Sequence, residues 1–177
     1  SAVPTDRVEA SVLCGFLGCD RRPFNPLLAT LPRMIHAPVD SGDNVMVQFA
    51  RLAASESSVK RNGGEAVLER MSELMFVHVL RGYLQRMPEG QQGWLAGMRD
   101  RYVGKVLALM HERPSEAWSA ERLAGLAGLS RSAMHDRFLH FIGMPPMQYL
   151  TQWRMQHASD LLRGHSSITA VAVAVGY

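Results

Sequence analysis

Four polar side chains between residues 131 and 136 have the spacing of one helix face: Arg131, Ser132, His135 and Asp136. On an α-helix, residues three and four positions apart are neighbours, so His135 lies beside Arg131 and Ser132, and Asp136 lies beside Ser132. His135 and Ser132 could hydrogen-bond to base edges in a DNA major groove. Arg131 suits a contact with a DNA phosphate, because its charge does not distinguish one base from another and it lies at the start of the helix.

Asp136 fits this arrangement least well, because a carboxylate repels phosphate. It could accept a hydrogen bond from a cytosine amino group, or it could orient a neighbouring arginine. All four residues could equally be ordinary solvated side chains on a helix of a bundle. The spacing alone leaves the two interpretations open, since generic matches of this kind are common.

Two short helices joined by a tight turn are predicted to position this face. Ser119 is a good N-cap for the first helix, and Glu121 places a negative charge in its first turn. Gly128 can close the first helix in the left-handed conformation, and Ser130 can cap the second, which runs over 131–142. The arrangement predicts a helix-turn-helix over 119–142.

The apolar residues of these helices predict which sides are buried. The first helix has Leu123, Leu126 and Ala127 on its inner side, with the small residues Ala124 and Gly125 allowing close approach of another helix. The second has Met134, Phe138 and Phe141 or Ile142. Leu139 then lies on the outer side with the four polar residues.

Composition places the chain among folded proteins and gives its two halves different charges. The 177 residues are 47% hydrophobic, which is enough for a core. Residues 1–92 hold ten Lys and Arg and ten Asp and Glu, whereas residues 93–177 hold nine against six. The excess positive charge therefore lies in the second half, where it permits binding to nucleic acid without proving it.

Catalytic, metal and membrane signals are weak. The seven histidines are scattered, and no glycine-rich phosphate loop or catalytic serine motif occurs. Cys14 and Cys19 are expected to be reduced thiols, the alternative being a metal pair with His36. The start of the chain does not resemble a signal peptide, and no apolar run is long enough to span a bilayer. We expect a cytoplasmic protein without cofactor or metal that is not an enzyme.

The first half changes character near residue 43. Residues 1–40 are broken by prolines and glycines, and Ser11–Phe16 is predicted to form a short strand. Helical spacing follows over 43–60 and 65–87, which predicts a helical hairpin. Its Met-rich apolar face suits a core or a dimer contact better than a cofactor site. A homodimer through residues 43–87 would use Leu74, Val67 and Leu80.

A longer pattern in the second half resembles a known family. The residues that carry the likeness are Gly143, Pro145 or Pro146, Tyr149, Leu150, Arg154 and Met155, then Ala158, Leu161, Leu162 and Arg163, then Ser167, Ile168, Val171, Ala172, Val175, Gly176 and Tyr177. Together they resemble the DNA-binding domain of AraC/XylS-type transcription regulators over about 100–177. More weakly, Leu13–Gly15 and Pro26–Pro32 resemble the tail of the cupin-like effector domain in one branch of that family.

The resemblance implies a protein that binds double-stranded DNA and regulates transcription. In the family, a long connector helix, begun here by Pro146, holds two helix-turn-helix units, and Gly176 and Tyr177 resemble the turn before the second recognition helix. This chain stops there. A small-molecule effector is possible in the full-length protein. Arg154 could contact phosphate, but a structural role inside the connector is the alternative.

The expected fold is mainly α, with three parts. An incomplete DNA-binding domain over 93–177 forms a helix-turn-helix bundle. A helical linker or dimerisation hairpin over 41–92 precedes it, and a short β or irregular remnant of an effector domain occupies 1–40. The competing hypothesis is a helical dimerisation or protein-interaction module that has no DNA binding of its own.

Overall fold

The chain is helical wherever the structure assigns regular elements. A computed structural model describes residues 12, 14–18, 23–36, 44–59, 61–88, 91–164 and 167–177. Within them the helices are α1 Pro26–Thr30, α2 Asn44–Ser58, α3 Gly64–Arg86, α4 Trp94–Arg99, α5 Arg101–Glu112, α6 Ala120–Ala127, α7 Arg131–Ile142, α8 Pro146–Arg163 and α9 Ile168–Val175. The prediction of a mainly α fold is confirmed.

The short strand expected over 11–16 is wrong for the residues that the structure describes. Val12 and residues 14–18 have no regular secondary structure, while Ser11 and Leu13 lie outside the described residues. A single extended segment needs a neighbouring strand to complete its hydrogen bonds. The described ranges contain no strand that could pair with it.

The chain divides into two compact units. One contains α2 and α3, and the other contains α1 together with α4 to α9. The predicted domain limits at 40/41 and 92/93 stay a prediction. No helix among the described residues is long and apolar enough to cross a membrane.

In the first unit, α2 and α3 form the predicted helical hairpin. Gly63 turns the chain between them at φ 82°, and Ala53 and Met71 are buried. Residues 14–17 and the facing sides of the two helices line a cavity of about 610 Å³. The apolar side chains of this unit are therefore only partly covered by the unit itself.

The core of the second unit lies where α5, α6, α7 and α8 meet. Its largest fully buried side chains are Tyr149, Phe138, Leu107, Met110, Leu123, Met134 and Leu150. The ring of Phe138 packs edge-on against that of Tyr149, with centroids 5.6 Å apart. The expected burial of Phe138 is confirmed. This core fixes α6 and α7, which carry the candidate site.

Two details of α6 differ from expectation. Leu126 is 45% exposed rather than buried, and a Cβ on Gly125 would meet nothing within 4 Å. The inner face of this eight-residue helix is narrower than the sequence predicted, since Leu123, Ala124 and Ala127 already fill it. The small residue that this helix buries is therefore Ala124 and not Gly125.

Candidate DNA-binding site

Local signals in the sequence build the turn between α6 and α7. Ser119 Oγ accepts from the backbone N–H of Arg122 at 3.1 Å, and Ser130 Oγ accepts from that of Ala133 at 3.2 Å. Gly128 ends α6 in the left-handed conformation at φ 81°, which a glycine adopts without steric cost. Leu129 packs against the core from inside the turn. The predicted helix-turn-helix over 119–142 is confirmed.

Helix α7 separates its buried and exposed sides as the apolar spacing predicts. Met134 and Phe138 are buried, Phe141 and Ile142 are partly buried, and Leu139 is 42% exposed. The polar face on the opposite side therefore points away from the core.

The four predicted site residues lie together on one groove. Arg131, Ser132, His135 and Asp136 are all exposed. With Ala120, Pro145, Pro146 and Met147, they line a shallow groove of about 370 Å³. The groove thus runs along the first turns of α7, beside the starts of α6 and α8. This is the end of a recognition helix that reaches base edges in helix-turn-helix complexes.

Arg131 has a partner on the other helix of the motif. Its Nη1 lies 2.7 Å from Oε1 of Glu121, and both side chains are largely exposed. Sequence reasoning placed Glu121 in the first turn of α6 but did not foresee this ion pair. The pair joins the first turns of the two helices across the turn between them.

Arg137 is a further residue of α7 that sequence reasoning missed. Its guanidinium donates hydrogen bonds to the carboxylate of Asp100, and it also lies over the rings of Tyr102 and Phe141. Burial raises the pKa of the Asp100 carboxyl. Hydrogen bonds from Arg137, Val103 and Tyr102 together lower it by more, so the pKa lies below its usual range. An ionised carboxylate thus anchors α7 to the start of α5.

Arg154 donates to backbone carbonyls rather than standing free on the surface. Its Nε donates to the carbonyl of Pro114 at 2.7 Å, and its Nη2 donates to that of Glu116 at 2.9 Å. Its Nη1 lies 3.4 Å from the carbonyl oxygen of Gly176. These bonds favour the structural role that the sequence left open for Arg154.

Cys14 is a free, exposed thiol, and Cys19 lies outside the described residues. Across the described ranges, no three His, Cys, Asp or Glu side chains are grouped as they would be to hold a metal ion.

Two family models match the chain. One, described as a cupin, covers residues 2–85, and the other, described as a helix-turn-helix domain, covers residues 123–177. The second match begins within α6 and includes all of α7. The fold and this match accordingly agree on a helix-turn-helix domain that contains α7.

Similar proteins specify the family. A putative AraC-like transcription regulator of Streptomyces lividans is 37% identical over 153 residues, which are 85% of this chain and 50% of that protein. One of the same description from Streptomyces antibioticus is 35% identical over 153 residues, with the same shares. The RCS-specific HTH-type transcriptional activator RclR of Escherichia coli K12 is 25% identical over 176 residues, 97% of this chain and 61% of that protein.

The chain is similar to AraC-type transcription regulators, with a cupin-like segment before the helix-turn-helix. The resemblance expected from the motif around Tyr149 and Arg154 is thereby confirmed. The chain spans about half the length of the two Streptomyces relatives. No solved structure gives a significant match.

Proposed function

We propose that the chain binds double-stranded DNA by inserting the start of α7 into the major groove, and that it serves sequence-specific regulation of transcription in the cytoplasm. The observation that carries the proposal is the groove at the exposed end of α7, lined by Arg131, Ser132, His135 and Asp136. Recognition helices present hydrogen-bonding residues at this end. The surplus of positive charge in the second half of the chain supports the same partner.

Each residue has a separate role in the proposal. His135 and Ser132 contact base edges, because they lie in the first turns of α7 and carry both donors and acceptors. Arg131 contacts a phosphate. Asp136 accepts from a cytosine amino group. Arg154 is assigned to structure, since carbonyl groups already occupy its donors.

Substitutions of two groove residues test the proposal on a chain extended through a second helix-turn-helix unit and on the DNA upstream of its own gene. His135→Ala should relax the preference at one base position, at a cost of about 1–3 kcal/mol for a good base contact. Arg131→Ala should weaken binding to all DNA sequences alike. It should also reduce the slope of log affinity against log salt by about one unit. Unchanged operator affinity in the double variant would refute α7 as the recognition helix.

We also propose a homodimer through residues 43–87. An exposed apolar stripe on α3 supports it: Val67, Leu74 and Val77 are each more than 40% exposed. Their spacing of seven and three residues continues one helix face, which is the pattern of a helix–helix contact. Light scattering at high concentration tests it, and a Leu74→Glu variant should shift the mass towards the monomer. A strictly monomeric parent chain would refute the dimer.

A small-molecule effector in the full-length protein is a further part of the proposal. The cavity in the first unit supports it, because about 610 Å³ is within the range of ligand sites and its lining is mainly apolar. Binding of an apolar fluorescent dye tests whether the cavity accepts a ligand. Ala53→Phe places a large side chain in the cavity and should weaken dye binding relative to the parent chain. Ala66→Ser, at an exposed position of α3 outside both the cavity lining and the apolar stripe, is the control. Equal dye binding by both variants would count against the cavity.

The alternative function is a helical interaction module without DNA binding, favoured by the same exposed stripe on α3. A shift assay at low salt separates the two, because single helix-turn-helix units bind DNA weakly and largely through phosphates. The interaction module predicts a dimer and no DNA complex at any salt concentration. The DNA-binding proposal predicts a complex that Arg131→Ala weakens.

A further inference from the structure

Glu121 is placed to influence DNA binding although it is not one of the predicted contact residues. It lies in the first turn of α6, and its Oε1 is 2.7 Å from Nη1 of Arg131 in the first turn of α7. Arg131 is the residue to which the proposed function assigns a phosphate. In the free protein this cation is therefore already occupied by a carboxylate of the same chain.

The carboxyl group of Glu121 is held in its charged form. A hydrogen bond from its own backbone N–H and then the charge of Arg131 keep its pKa below the usual range. It also stands at the N-terminus of α6, where the helix dipole favours a negative charge. In helix-turn-helix complexes the first helix crosses the DNA backbone, and helix N-termini are common phosphate contacts. Glu121 thus places a negative charge where a phosphate would approach.

The local balance of charge on this face is unusual for a surface that binds DNA. Among the residues that line the groove, Arg131 is the one Lys or Arg and Asp136 carries a carboxylate. Glu121 adds a second carboxylate beside Arg131. An exposed ion pair is weak, so Arg131 can leave Glu121 for a phosphate. The carboxylate, however, remains next to the DNA backbone.

We propose that Glu121 restrains DNA binding by pairing with Arg131 and repelling backbone phosphate, which lowers the affinity of the helix-turn-helix for DNA of any sequence. The inference rests on the proposed function of α7. The effect is electrostatic and independent of base identity, because it acts at phosphates. Recognition then depends more on the base contacts of α7 than on general attraction to the duplex.

Binding of the chain to a mixed-sequence duplex of about 30 base pairs tests this role, since no operator is needed for a phosphate effect. Glu121→Gln should tighten binding about threefold to tenfold at low salt and steepen the slope of log affinity against log salt by up to about one unit. Fluorescence anisotropy over a salt series measures both quantities. Circular dichroism verifies that the variant remains folded.

A matched carboxylate provides the control. Glu116 pairs with Arg122 at the same 2.7 Å, and Arg122 does not line the groove. Glu116→Gln removes the same charge and should leave the salt slope unchanged. In an Arg131→Gln background, Glu121→Gln should give a smaller gain than in the parent, because part of its effect passes through Arg131.

The outcomes separate this inference from the function on which it rests. A parent chain that binds the duplex while Glu121→Gln changes neither affinity nor slope overturns the role of Glu121 alone. An equal gain from Glu116→Gln also overturns it, because the effect would then be one of net charge. Failure of the parent and all variants to bind at low salt overturns the proposed function and this inference together.

Discussion

Arg137 hydrogen-bonds to both carboxylate oxygens of Asp100: its Nε donates to Oδ1 at 2.9 Å and to Oδ2 at 3.1 Å. The same carboxylate caps α5 by accepting from the backbone N–H groups of Tyr102 at 3.1 Å and Val103 at 2.9 Å. The Asp100 side chain therefore caps the start of α5 and holds α7. The orientation of α7 over the core is coupled to the start of α5 through this side chain.

Removal of the Asp100 carboxylate should destabilise the fold. Asp100→Ala loses a helix cap and a charge-assisted hydrogen-bonded pair, and we expect a cost of about 2–3 kcal/mol. Asp100→Asn is the matched control, because asparagine caps a helix nearly as well but carries no charge, so it should cost about 1 kcal/mol. Urea unfolding measures both. A cost below about 0.5 kcal/mol for Asp100→Ala would contradict the coupling.

Phe138 and Ser132 distinguish the two faces of α7. Phe138→Ala should lower the free energy of unfolding by about 3–5 kcal/mol, because the ring is fully buried against Tyr149. Ser132→Ala should change it by less than about 0.5 kcal/mol, since the side chain is exposed. Chemical denaturation of the two variants is the measurement. Similar losses would mean that the helix face is assigned the wrong way round.

A buried network around Tyr149 makes the stability depend on pH. The Tyr149 hydroxyl accepts from Trp94 Nε1 at 2.7 Å and lies 2.9 Å from His111 Nε2. The indole can only donate, so the tyrosine O–H can donate to Nε2 of His111 when that nitrogen carries no proton. The imidazole also stacks on Trp153 with ring centroids 4.0 Å apart. Burial lowers the pKa of His111 to about 4.

The unfolded chain should therefore take up a proton at His111 before the folded one does. Its contribution to stability is complete above pH 6.5 and is lost progressively as the pH falls towards about 4. The loss is at most about 3 kcal/mol, and partial exposure of the ring reduces it. Unfolding free energies between pH 7 and 5 measure it. His111→Gln should remove this part of the slope, and an unchanged slope in that variant would contradict the assignment.

Gly176 should not tolerate a side chain, for two separable reasons. Its φ is 88°, and a Cβ would lie 2.8 Å from the carbonyl oxygen and 2.9 Å from the Cα of Ser115. Gly143 has a similar φ of 78° but open space around it. Gly143→Ala thus measures the backbone strain alone, about 1–2 kcal/mol.

Hydrogen exchange detects the difference, because it reports local opening of a helix. The amides of α9 should exchange at least about tenfold faster in Gly176→Ala than in the parent, as a loss above about 1.4 kcal/mol requires. In Gly143→Ala the α9 amides should keep their protection. Parent-like protection of α9 in Gly176→Ala would show that the contact with Ser115 yields without cost.

Local signals explain why the helices and the turn could be predicted. Ser119, Gly128 and Ser130 each act on a backbone group within four residues of themselves, so their roles do not depend on the rest of the fold. The strand assigned to residues 11–16 failed for the complementary reason, since a strand requires a partner that a local pattern cannot supply. The four site residues were placed on one face by helical periodicity alone.

Charge pairing between elements was decided by the tertiary structure. Asp100 and Arg137 are 37 positions apart, and the carbonyls that Arg154 contacts lie 22 to 40 positions from it. The sequence by itself determined the mainly α fold, the helix-turn-helix and the polar face of α7, because these follow from residue spacing and capping. The tertiary structure decides which arginine could contact a phosphate, because a long side chain binds an acceptor that the fold brings close to it. The spacing of residues in the sequence does not give the distance between an arginine and such an acceptor.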